Sequence, residues 1–142
     1  MRNNSGFTLI EMVVTIALIS VVLAVAIPKI DIDFGYMDKM ASEFVMDVRY
    51  IQTEHMKVAD SNHEIKIYKN TNTYEVRQNL NVEKVVRFKE RFSIMYNNGG
   101  TISFTNTGTP INAGTLTIMD KKTMETKKIS IVPGTGRTII LE

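Results

Sequence analysis

The run from Phe7 to Ile27 is almost wholly apolar and carries one carboxylate, Glu11, close to its start. At about 1.5 Å of rise per residue, some 21 such residues reach across a ~30 Å hydrocarbon core as a helix. That feature orders the rest of the chain. It leaves a short polar leader at 1–6, the apolar helix at 7–27, a linker and amphipathic helix at 28–59, and a C-terminal β-rich globular domain at 60–142. The last part offers about 80 residues, enough for one modest core. The chain has no cysteine, so neither a disulfide nor a thiolate metal site supports that core.

The apolar run does not read as a secretory signal. Such signals place a small-residue cleavage site after the apolar stretch, and nothing of that kind separates Ile27 from the acidic linker beyond it. A plain anchor accounts for the hydrophobic length but not for Glu11. A charged residue near mid-bilayer costs about 2.5–3.5 kcal/mol on insertion scales, less toward the interface, so an acid inside a span has a partner or a pathway role.

Gly6-Phe7-Thr8-Leu9-Ile10-Glu11, followed by Met12-Val13-Val14, resembles the leader junction of type IV pilins, pseudopilins and competence pseudopilins. The resemblance implies cleavage by prepilin peptidase between Gly6 and Phe7 on the cytoplasmic side, with N-methylation of the new Phe7 amine. It also implies that Glu11 is an assembly residue, its carboxylate paired with the Phe7 amine of a neighbouring subunit. Pro28 falls where many pilins carry a helix-kinking proline, and its missing N–H and ring bulk suit that role. Arg2 before the span and acids after it place the N-terminus inside and the bulk of the chain outside the cytoplasmic membrane.

Beyond the span, apolar residues recur at Met37, Ala41, Phe44, Val48, Ile51 and Val58, with Met40 and Val45 widening the stripe. This is the spacing of one helix face. His55 lies on the same stripe and reads as a core or boundary histidine, not as a metal ligand. After Asn62 the period changes to two, and strands are expected at Glu64–Tyr68, Tyr74–Arg77, Val82–Phe88, Phe92–Tyr96, Thr101–Phe104, Thr115–Met119, Lys128–Val132 and Thr138–Leu141, the first two as a hairpin. The fold class that follows is α+β. One long N-terminal helix, membrane-spanning in its first half and amphipathic in its second, packs on an antiparallel β-sheet, as in the pilin fold.

The C-terminal stretch narrows the resemblance. Ile102-Ser103-Phe104, then Gly108, Pro110 and Gly114-Thr115-Leu116-Thr117, then Lys128-Ile129-Ser130-Ile131 before Gly134-Thr135-Gly136-Arg137, are similar to the end of the GspH/FimT minor pseudopilins and of the competence pseudopilin ComGD. Pro133-Gly134-Thr135-Gly136-Arg137 is glycine-rich, but no Lys-Ser/Thr ending follows, so it reads as a strand turn and not as a phosphate loop. The implied function is a minor pilin or pseudopilin, a structural subunit of a pilus, competence or type II secretion filament. The implied partners are other subunits, prepilin peptidase, the inner-membrane assembly platform and the membrane itself.

Nothing in the sequence asks for a catalytic residue, a cofactor or a metal. The only histidines are His55 and His63. DNA is the alternative partner, because the competence and FimT relatives act in DNA uptake and Lys84, Arg87, Lys89, Arg91, Lys121, Lys122, Lys127 and Lys128 make the later part basic against an overall charge of only +2.

Overall fold

A computed structural model describes residues 7–27, 33–57 and 62–141. The chain forms two units, Met1–Phe34 and Gly35–Glu142. The first holds helix α1, Leu9–Ala26, in which no residue is buried. Leucine, isoleucine, valine and alanine cover it on every side, as suits a helix solvated by lipid or by other helices. It is long and apolar enough to cross a membrane.

The second unit opens with helix α2, Tyr36–Lys57. Asp38 in its first turn and Lys57 in its last complement the helix dipole. The expected single long helix is therefore two helices. Pro28 lies outside the described residues, as does Val58 of the stripe; the interruption within them is the turn at 33–35, where Gly35 takes φ +75, a conformation a β-carbon disfavours. Lys39 N–H then donates to the Gly35 carbonyl at 3.0 Å and starts α2.

Eight strands follow, at the places the period-two runs mark: β1 His63–Tyr68, β2 Thr73–Gln78, β3 Asn81–Arg87, β4 Phe92–Tyr96, β5 Thr101–Ile102, β6 Thr115–Asp120, β7 Thr126–Ile131 and β8 Thr138–Leu141. The fifth is shorter than its sequence suggests, because Phe104 leaves the ladder and bridges Pro110 instead. All pairings are antiparallel. The single expected sheet is two, of order β3-β2-β1-β5 and β4-β6-β7-β8. The chain crosses between them after β3, β4 and β5; at the second crossing, Asn97–Gly100, Gly99 and Gly100 adopt φ +71 and +76 and no hairpin is closed. Asn97 N–H donates to the Thr115 carbonyl of the second sheet at 3.2 Å, and Ile67 N–H of the first sheet donates to the Gly100 carbonyl at 2.6 Å.

Helix α2 lies against both sheets, touching β1 in one and β6, β7 and β8 in the other. Its stripe supplies Met40, Ala41, Phe44, Val45, Val48 and Ile51 to a core completed by Ile65, Tyr74, Ile94, Leu116, Ile118 and Ile129. Phe44 meets Tyr74 edge-on at 5.3 Å between ring centroids. The Tyr74 hydroxyl donates to Asp47 at 2.7 Å, and Lys84 reaches both Asp47 and Glu43 at 2.8 and 2.9 Å. Burial lifts the Tyr74 phenol far above its ordinary pKa, and the Asp47 carboxylate lifts it further. Burial opposes the charge of Lys84, but the two carboxylates outweigh it and its pKa is raised.

Candidate assembly site

The start of α1 is closed by its own side chains. Thr8 is the N-cap, and its hydroxyl accepts from Glu11 N–H at 3.3 Å. In return the Glu11 carboxylate accepts from Thr8 N–H at 2.8 Å and from the Thr8 hydroxyl at 3.0 Å. This reciprocal pair is a capping box. It accounts for donors that would otherwise face hydrocarbon at the head of a membrane helix. The other two polar side chains of α1 turn onto their own backbone: the Thr15 hydroxyl donates to the Glu11 carbonyl at 2.6 Å and the Ser20 hydroxyl to the Ile16 carbonyl at 2.8 Å.

Of the residues marked by sequence, Glu11 and Phe7 come together at this end, and Gly6 and Pro28 lie outside the described residues. Phe7, Ile10, Glu11, Val14 and Thr15 line one shallow face of the helix. Phe7 is 82% exposed. The carboxylate of Glu11 is held one residue from the Phe7 nitrogen. It stands at a helix start, where backbone N–H groups and the dipole favour negative charge. Sequence reasoning missed Thr8. The Thr-x-x-Glu spacing just ahead of an apolar run is the signal that identifies it.

Other marked residues have structural positions. His55 is buried on α2, with Nε2 at 2.6 Å from the His63 carbonyl oxygen. The glycine turns of the C-terminal motif converge on Gln52 of α2, which donates to the Gly108 carbonyl at 2.8 Å and to the Thr135 carbonyl at 3.4 Å. A β-carbon at Gly136 would stand 2.7 Å from the Gly108 carbonyl oxygen and 2.9 Å from the Phe104 ring. The Pro133–Arg137 segment is thus a packed turn between β7 and β8. Three of the bases face carboxylates of their own domain: Lys84 faces Asp47 and Glu43, Arg91 faces Asp120, and Lys127 faces Asp38.

Residues 1–27 match the model of the prokaryotic N-terminal methylation motif. The fold is similar to that of the minor pseudopilin EpsH from the type 2 secretion system of Vibrio cholerae. That match has a TM-score of 0.59 at 15% identity and covers 73% of this chain and 94% of that one. No curated protein matches the sequence.

Proposed function

We propose that this chain, which carries the prokaryotic N-terminal methylation motif and has the fold of a minor pseudopilin, is a minor pilin or pseudopilin: a structural subunit anchored in the cytoplasmic membrane and assembled into a type IV pilus-like filament. The observation that carries this reading is one continuous arrangement. The motif runs into a helix apolar on all sides with no buried residue, ahead of a domain whose own core is complete without it. Such a helix needs lipid first and neighbouring helices afterwards.

Prepilin peptidase cuts between Gly6 and Phe7 and methylates the Phe7 amine. Glu11 then has two successive partners. In the single subunit the Thr8 N–H and hydroxyl hold the carboxylate. In the filament the amine of a neighbour's Phe7 takes over, and the pair offsets two desolvation costs that neither charge offsets alone. The N-terminus faces the cytoplasm, the globular domain lies outside, and the inner-membrane assembly platform takes up the anchored subunit. This role asks no side chain to do chemistry.

Intact-mass measurement of the membrane form tests the processing step. The expected mass is that of the chain without Met1 to Gly6 and with one methyl group added. A chain still beginning at Met1 in cells with active peptidase overturns it.

A further inference from the structure

One end of the globular domain gathers cations from three separate connections. Lys69 lies in the turn between β1 and β2, Arg87 ends β3, and Lys121 and Lys122 lie in the turn between β6 and β7; all four are exposed. Arg87 and Lys121 share a depression of about 640 Å³ with Asn70 and Asn72, and Glu90 is the one acid on its wall. Lys121 is positioned there by its bond to the Glu90 carbonyl at 2.8 Å. The side chains of Lys69, Arg87 and Lys122 meet no carboxylate among the described residues. The carboxylates of Glu90 and Glu125 are the exposed acids of this rim.

A second observation lies in the same β6–β7 turn. Met124, two residues past Lys122, is 68% exposed with φ +64. A non-glycine residue in left-handed backbone is uncommon, and this one sets an exposed thioether at the tip of the turn. An apolar tip that follows Lys121 and Lys122 in the same turn suits a lipid interface, where the methionine enters the headgroup region and the ammonium groups stay with the phosphates.

This is also the end from which the chain leads back to the membrane helix. The Tyr36 hydroxyl, at the start of α2, accepts from Lys89 N–H at 3.0 Å, and the Tyr36 ring stacks on Phe92 at 4.4 Å. Nine residues lie between Ala26 and Tyr36.

We infer that the rim formed by Lys69, Arg87, Lys121, Lys122 and Met124 docks on the anionic phospholipid headgroups of the membrane that holds the chain. Docking keeps the domain against the bilayer until filament assembly draws it away. The inference rests on the membrane-anchored reading above.

The chain's lack of cysteine makes the test direct. Single cysteines replace Thr123 at the rim or Asn98 at the far end of β4, each carrying an environment-sensitive fluorophore. The full chain is reconstituted in vesicles of neutral lipid, or of neutral lipid with about 30% phosphatidylglycerol, each with a headgroup-attached quencher. Quenching at position 123 is expected to exceed that at position 98 at least about twofold in anionic vesicles. It should fall toward the neutral-vesicle value in about 0.5 M salt and in the combined variant Arg87→Gln, Lys121→Gln, Lys122→Gln. Equal quenching at the two positions, or no dependence on anionic lipid, overturns the docking inference even though the chain floats with the vesicles. A chain that fails to float with neutral vesicles overturns the anchored reading and the inference with it. A rim that retains duplex DNA in a gel shift, with quenching indifferent to anionic lipid, assigns these bases to nucleic acid and overturns lipid docking.

Discussion

Among the described residues Asp120 is the most enclosed carboxylate, 3% exposed at the end of β6. Arg91 Nε donates to both its oxygens, at 2.9 and 3.0 Å, Arg91 Nη2 donates at 2.5 Å, and Lys122 N–H adds a bond at 2.8 Å. The hydrogen bonds from Arg91 outweigh the effect of burial and hold the carboxyl below the usual carboxylate range. A group whose folded pKa is depressed contributes stability that is fully present above its unfolded pKa of about 3.9 and is lost as pH falls toward the folded value. The domain is therefore expected to lose this contribution below about pH 4, and Asp120→Asn to flatten that limb of the stability profile. Chemical melts of the two proteins between pH 2 and pH 7 check it; parallel profiles would dismiss the ion pair as a pH-sensitive element. At the other end of the chain, Glu11→Ala is expected to leave processing and membrane level unchanged while reducing the protein recovered in sheared filaments. The substitution removes a charge that costs energy in lipid, and with it the cap on Thr8 N–H and the partner for a neighbour's amine. Equal incorporation of both forms would show that the carboxylate is not needed.

Among the elements, α2 connects the two sheets. Phe44 is wholly buried at its centre, against Tyr74 of β2 and among residues of both sheets. Phe44→Ala removes a ring whose space the surrounding strands cannot fill, at a cost of about 3–5 kcal/mol. That is a large share of the roughly 5–15 kcal/mol a domain holds in total. Urea melts measure it, and a loss under about 0.5 kcal/mol would mean that the helix-on-sheet core is not what holds the domain together. The stripe that places Phe44 was legible because 3.6-residue periodicity is written locally. The Asp47–Tyr74–Lys84 group beside it was not legible. A buried acid on an amphipathic helix looks like any boundary residue until strands 27 and 37 residues further along supply its partners.

For the molecule as a whole, the division into Met1–Phe34 and Gly35–Glu142 matches two kinds of solvent. The first unit exposes apolar surface throughout α1, whereas the second encloses its own core. The chain from about Asp31 onward, expressed without the apolar segment, is therefore expected to be a soluble monomer that unfolds in one cooperative transition. Light scattering and a thermal melt check this. Aggregation or a non-cooperative melt would mean that the domain depends on the membrane helix or on neighbouring subunits.

The sequence alone determined the membrane-length helix, the acid within it, the α2 stripe and the positions of all eight strands. Each of these depends on the order of apolar and polar residues over a few turns or a few strand residues. Only the structure decided that the strands form two sheets and that the helix is interrupted at Gly35. The Asn97–Gly100 turn reads the same whether its flanking strands pair with each other or part, because turn chemistry sets backbone angles and not strand partners. Which strands pair is settled by how Ile65, Ile102, Ile118 and Ile129 together leave water around α2, a choice made over the whole domain at once.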